Sequence, residues 1–385
     1  MLHRRRFLQL STASLAAALA SSRVAFAGAP TENRFVFVLL RGGLDGLHAL
    51  IPYADSDFQR LRPQLAPGAD ERIDLDGYFA LHARLGALMP LWHEGELAFV
   101  PAATTRYRNR SHFDGQNLLE NGTGQPFGAR DGWLNRAILG LNAGDRRLGL
   151  SLGPSVPLIL QGGAHVQAWV DENLPDLDDD FLGRLAIVYR DDPLFARALA
   201  DATGAPEPMM MGAEAPDNGF VLAATAAADL LSQAAGPRIA VMELGGWDTH
   251  TGQPGRLNRN FEVLAEGITT LKRGLGADWA RTVVVVASEF GRTAAENGAR
   301  GTDHGTGGLA ILAGGAVRGG RIAGEWPGLT PTALYENRDV RAVNAYEAIF
   351  KSVLIAHLGL APAYAERVVF PESGALEPFT GLLRA

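Results

Sequence analysis

Apolar residues gather along this chain in short unbroken runs, and each run gives way to glycine or to charged residues. The first, FVFVLL at 35–40, is closed by Gly42 and Gly43. A strand that is apolar on both faces has to be covered on both, which predicts a place at the centre of a parallel sheet. Similar runs stand at LAFVPAA (97–103), LGLSLG (148–153), VPLIL (156–160), RIAVMELGG (238–246), TVVVVAS (282–288) and GLAILAGGAV (308–317). Between several of them the spacing turns helical, as in LHARLGALMPLWHEG (81–95), GWLNRAILGLN (132–142) and LNRNFEVLAEGITTLKRGL (257–275). Strands alternating with helices predict an α/β fold, a mostly parallel central sheet with helices on both faces. His82, His93 and His357 fall inside the helical patterns and read as partly buried structural residues. One stretch departs from the rhythm. Residues 161–237 include DENLPDLDDDF and APEPMMMGAEAPDNG, whose acid, proline and glycine content predicts an insertion or lid on a single domain spanning 28–385.

Composition narrows the chemistry. The chain has 385 residues, 47% hydrophobic and 20% charged, enough for a large core. A net charge of −7 argues against nucleic acid as a partner, because phosphate backbones call for a basic surface. There is no cysteine, so thiolate catalysis, disulfides and Cys-bound zinc are excluded. The first 27 residues read as a signal peptide. Arg4 and Arg5 precede Phe7-Leu8, the weakly apolar STASLAAALA follows, and Ala25 and Ala27 supply the small cleavage-site residues. The paired arginines point to the twin-arginine route, with the translocase as partner during export and a periplasmic or secreted destination. The apolar run is too short to span a bilayer, so no stable membrane insertion is expected after cleavage.

In open α/β sheets ligands bind beyond the carboxyl ends of the strands. There the first run delivers Arg41 and Asp45, the run at 238–246 delivers Asp248 and His250, and the run at 282–288 delivers Glu289 and Arg292. The loop before the last run adds Asp303 and His304, and RNRSHFDGQ contributes Arg110, Ser111, His112 and Asp114 at a predicted helix start. Each alone has a plainer reading, as a turn residue, an N-cap or an ion pair. Carboxylates and imidazoles gathered without cysteine suit one or two divalent ions, zinc or manganese, and arginines match the bidentate geometry of phosphate or sulfate oxygens.

LLRGGLDGLHALIPYADSDFQRLRP, RNRSHFDGQ, GGWDTHTGQ and SEFGRT…NG…GTDHG together resemble the exported family known as domain of unknown function 1501, within the alkaline phosphatase-like and sulfatase superfamily. The resemblance implies a three-layer sandwich and places Asp45, Asp248, His250, Glu289 and His304 as metal ligands. It implies Ser111 as nucleophile and Arg41, Arg110 and Arg292 as clamps on the anion. Two positions depart from the superfamily pattern. Phe290 stands where a ligand histidine is expected, and the Asp-x-x-x-His spacing is shortened to Asp248-x-His250, so that His112 or Asp303 would have to complete the set. The expected function is an exported metal-dependent hydrolase of small anionic esters, phosphate ahead of sulfate because the Cys/Ser-x-Pro-x-Arg context of sulfatases is missing. The alternative is a non-catalytic exported binding or assembly protein with a degenerate metal site. Replacing Arg4 and Arg5 by lysine should leave the uncleaved chain in the cytoplasm, as measured by fractionation; processing at the normal rate would contradict the assigned route.

Overall fold

The computed structural model describes residues 31–141, 148–153, 155–170, 219–373 and 376–384. The signal peptide, Met209–Met211 and residues 171–218 of the expected insertion lie outside the described residues. The first strand, β1 (Arg34–Leu40), is buried along its whole length and pairs in parallel with β8 (Ile239–Leu244) on one side and β9 (Thr282–Ser288) on the other. Outward from β8 lie β6 (Gly149–Leu152) and the edge strand β7 (Val166–Trp169), both parallel. Outward from β9 comes β10 (Gly308–Ala313), antiparallel to it, then β5 (Leu97–Thr104). Short strands β11 (Arg321–Ile322) and β12 (Asn344–Ala345) pair in parallel with β5. A separate antiparallel sheet joins β2 (Leu50–Ile51), β3 (Arg72–Asp74) and β4 (Ala80–His82).

Alternation along β1 divides the core into two halves, since successive side chains of a strand point to opposite faces. Phe35, Phe37 and Leu39 point to one face and pack with helix α2 (Trp133–Leu141) and helix α5 (Tyr346–Ser352). There the Phe37 ring meets Trp133 and Phe350 edge-on at centroid distances of 5.6 and 5.3 Å. Val36, Val38 and Leu40 point to the other face, toward α3 (Gly219–Ser232) and the long α4 (Gln253–Leu275). The result is the expected α/β sandwich, a mostly parallel sheet between two helical layers. A buried ring such as Phe37 is worth about 3–5 kcal/mol against alanine.

Two sequence expectations are corrected here. VPLIL is not a strand: Pro157 has no N–H for a ladder, and Leu158–Leu160 forms a 3-10 turn whose Ile159 N–H donates to the Glu120 carboxylate at 3.0 Å. His82 is not helical but ends β4, while His93 is exposed. Of the expected insertion, the described flanks are the edge strand β7 and the core helix α3.

The connections place all the charged strand ends at one edge of the sheet. Strands β1, β5, β8 and β9 run the same way and finish there, and the reversed strand β10 begins there. The residues that precede β10 therefore meet the residues that follow the others.

Beneath this edge the His48 ring is stacked on His82 at 5.1 Å and both are buried. His48 Nδ1 has no hydrogen-bond partner, and burial pushes the His48 pKa down to about 3 and that of His82 to about 4. Their folded values lie below the ordinary 6.5, so the unfolded chain takes up protons that the folded chain refuses. Stability is therefore full above about pH 6.5 and lost as the pH falls toward the folded values. His48 alone should cost about 2 kcal/mol at pH 5. His48→Leu should lose about that much less stability between pH 7 and pH 5 than the parent protein does in chemical denaturation; identical losses would refute the assignment.

Candidate metal centre

The loop after β8 turns sharply and brings Asp248 and His250 to the edge of the sheet. Gly42, at φ +123°, lets the β1 loop pass close by, because a Cβ there would lie 2.5 Å from the Asp248 backbone nitrogen. Helix α1 (His112–Asn121) starts after β5 with Ser111 at its N-cap. Arg110 before it sits in the left-handed region at φ +63°.

Three imidazoles and one carboxylate meet where these loops converge. His304 Nε2 lies 2.9 Å from His112 Nε2, 3.0 Å from His250 Nε2 and 3.2 Å from Asp248 Oδ1. Asp248 Oδ1 is 3.0 Å from His250 Nε2 and 3.5 Å from His112 Nε2. Zinc with Zn–N bonds of about 2.0–2.1 Å separates neighbouring tetrahedral ligands by about 3.3 Å. His112, Asp248 and His304 form a group able to hold an ion, their ligand atoms all within 4.8 Å of one another. His250 adjoins two of the three.

The outer nitrogens show why the inner ones face each other. His112 Nδ1 is 2.7 Å from Glu289 Oε1, His250 Nδ1 is 3.1 Å from Asp303 Oδ1, and His304 Nδ1 is 2.9 Å from the Arg110 carbonyl. Carboxylates and carbonyls only accept, so each Nδ1 carries the hydrogen and each neutral ring turns a bare lone pair inward. Three lone pairs beside a carboxylate oxygen call for a cation between them. Protons could supply part of that charge. The hydrogen-bonded Glu289 holds the His112 pKa above its ordinary value, while burial and then the His112 charge push His304 down. The donor set, nitrogen and oxygen without sulfur, fits zinc, manganese or a similar divalent ion.

The structure thus brings His112, Asp248, His250 and His304 together and sets Glu289 and Asp303 behind them. Glu289 is fully engaged, with Oε1 accepting from His112, Gly42 N–H and Gln116, and Oε2 accepting from Ser288. Burial opposes its ionisation, but these donors hold its pKa below the ordinary carboxylate value. Asp303 accepts from His250 and Asn297, and its pKa is lowered although burial acts the other way. Phe290 explains its own presence. It packs under the rings of His112 and His304 at 4.9 and 5.2 Å, and a Cβ at Gly115 would stand 3.1 Å from it. The imidazole missing from position 290 is supplied by His112 from the opposite side.

Asp45 is elsewhere. Its carboxylate is buried and gripped in bidentate fashion by Arg62, at 2.7 and 3.0 Å, with Gln253 donating at 2.6 Å. Burial works against its ionisation, and Arg62 overcomes that to lower its pKa. Gln253 is the node of this buried network, since its Oε1 accepts from the hydroxyls of Thr249 and Thr302, the residues just before His250 and Asp303. Sequence reasoning missed Arg62 and Gln253, which lie in ordinary helical surroundings and carry no motif.

The three arginines are committed to the protein. Arg292 donates to the carbonyls of Gly42, Gly43, Trp247 and Thr302 and to Asp248, binding three loops to one another. Asp248, although burial pushes the other way, is held below its ordinary pKa by that contact. Arg41 pairs with Glu120 and Glu243, and Arg110 with Asp339 at 2.7 Å and Glu336 at 2.6 Å. Ser111 does not cap its helix with its side chain. Its N–H donates to the Tyr107 hydroxyl at 3.2 Å, which in turn donates to Asp114 at 3.0 Å.

The family model described as Protein of unknown function (DUF1501) matches residues 102–367, a span that contains all four converging side chains. The chain belongs to this family. No curated protein matches its sequence. Among solved structures it is similar to Ps i-CgsB in complex with k-i-k-neocarrahexaose, at 11% identity over 86% of this chain and 73% of that one, TM-score 0.44. PsFucS1 sulfatase from Pseudoalteromonas sp. aligns at 12% identity over 100% and 78%, TM-score 0.40. A protein in the alkaline phosphatase superfamily from Vibrio parahaemolyticus aligns at 11% over 81% and 69%, TM-score 0.36.

Partners that orient a ligand histidine typically set about 10–100-fold in metal affinity. Glu289→Gln should weaken divalent binding by about that factor in a competition titration, with the fold intact by circular dichroism. Unchanged affinity would show that Glu289 does not orient His112.

Proposed function

We propose that this member of the family is an exported, metal-dependent hydrolase of phosphate esters, with sulfate esters a less favoured substrate. The observation that carries the reading is the inward convergence of His112, His250 and His304 on Asp248, each ring fixed from behind. These four residues would hold one divalent ion, which supplies a Lewis acid for the ester oxygens and lowers the pKa of a nearby oxygen nucleophile. Ser111 is the nucleophile in this reading. It lies between Arg110, whose carbonyl fixes His304, and the ligand His112, and its side chain is not spent on capping the helix. Its Oγ gives up the hydroxyl proton and bonds to phosphorus as the bond to the alcohol oxygen breaks in line, and the departing oxygen takes a proton from water. Attack by a second water then breaks the P–Oγ bond and restores Ser111. Asp248, tied to Arg292, stays ionised to hold the ion. The leader with Arg4 and Arg5 fits export by the twin-arginine translocase, which carries folded cargo.

One feature favours a second reading, a metal-binding protein without turnover. Arg41, Arg110 and Arg292 are all paired with carboxylates, and Asp45 is closed off by Arg62. Elemental analysis of the mature protein together with aryl phosphate and sulfate assays separates the two. About one equivalent of zinc or manganese with turnover is expected, and Ser111→Ala should lower kcat about 1000-fold with metal content unchanged. Turnover that survives in Ser111→Ala but not in His304→Ala would make water the nucleophile. One equivalent of metal with no turnover would establish the second reading, and protein without stoichiometric metal would reject both.

A further inference from the structure

Two phenylalanines stand beside this centre without entering the core. Phe113, the residue after the ligand His112, is 83% exposed, and Phe127, in the loop that follows α1, is 65% exposed. A single exposed phenylalanine needs no explanation. This pair is held in place. Phe127 adopts φ +58°, a left-handed conformation that bulky residues avoid, and gains no burial of its ring in return. Its N–H donates to Asn117 Oδ1 at 2.5 Å, and the neighbouring Gln125 carbonyl accepts from Thr123 and Asn121 at 2.9 and 3.2 Å. Asn117 follows Phe113 by one helical turn, so one face of α1 carries both the first ring and the tether of the second. Helical side chains lean toward the N-terminus, which sets Phe113 at the end where Ser111 and His112 are presented. Strain without packing, beside a candidate catalytic centre, points to contact with a ligand.

Charge leads to the same place. With Arg41, Arg110 and Arg292 engaged by carboxylates, the anionic half of an ester has the ion as its main anchor. Discrimination among esters then falls to whatever touches the alcohol half.

We propose that Phe113 and Phe127 form an aromatic wall that receives the alcohol half of the substrate, and that the substrate is therefore the ester of an aromatic or other planar apolar alcohol. This rests on the ester-hydrolase reading of the centre. The occupant is a small molecule because the wall begins at the residue adjoining His112 and continues from the centre itself. Stacking on one such ring contributes about as much as a tenfold change in affinity.

The test uses the zinc- or manganese-loaded mature protein and two non-hydrolysable probes, phenylphosphonate and methylphosphonate, titrated by calorimetry. The parent protein should bind the phenyl compound about tenfold or more tightly over the methyl one. Phe113→Ala, Phe127→Ala and the double variant alter exposed rings and should keep the fold and the metal content. The double variant should bring the two affinities within about twofold, with methylphosphonate binding unchanged. A phenyl preference that survives the double variant overturns the proposal, as does an equal loss for both probes. If the loaded parent binds neither phosphonate, the ester reading itself fails; if it binds both equally, only the aromatic wall fails. Light scattering supplies the remaining outcome: a parent dimer that becomes monomeric in the double variant, with the probe ratio unmoved, would assign the face to a second copy of the chain and overturn the proposal.

Discussion

Everything at the charged edge of the sheet depends on the outer nitrogens of three histidines being occupied. An imidazole has two nitrogens and one hydrogen when neutral, so whatever takes the hydrogen at Nδ1 decides what Nε2 can do. Glu289, Asp303 and the Arg110 carbonyl each take it, and all three Nε2 lone pairs are left to face Asp248. The surrounding framework serves those three acceptors. Glu289 is set at the end of β9 and filled by Ser288, Gly42 and Gln116, so it has no freedom to turn. Asp303 is aligned through the Gln253 hub that joins Thr249 to Thr302. The Arg110 carbonyl is aimed by a left-handed backbone that its ion pairs with Asp339 and Glu336 help to hold.

Charge is balanced in the same economical way. Arg292 reaches across the β1, β8 and 302 loops while donating to Asp248, so the cation that shapes the loops also fixes the ligand carboxylate. Asp45 and Arg62 neutralise one another in the interior, where an unpaired charge would be costly. That pair closes off a carboxylate which its position after the first strand made look available.

The sheet and the location of the site were legible in the sequence, because fully buried strands leave unbroken apolar runs and their ends stand out as abrupt polarity. The runs at 35–40, 97–103, 238–246, 282–288 and 308–317 all became strands of the central sheet. VPLIL shows the limit of that signal, since an apolar run of five with proline inside it fits a buried helical turn equally well. Within the site, residue type and place were legible but the division of labour was not. Whether Glu289 touches an ion or a histidine depends on a ring arriving from a segment far away in the chain, and nothing near position 289 records that. Likewise nothing in FQRLRP indicates that Arg62 will reach Asp45. The role of Phe290 emerges only from the rings above it.

The reversal of β10 gives the centre an uneven construction. His250, Asp303, Asp248 and His304 meet across separations of 53 to 56 residues, whereas His112 reaches Glu289 and His304 across 177 and 192. One half of the ligand set thus belongs to neighbouring chain and closes early and cheaply, while the last imidazole arrives with the β5 side of the sheet, after a far longer loop has been closed. A complete ligand set is in this sense a record of completed folding: a chain whose two halves have not docked carries most of a metal centre and lacks the histidine that finishes it.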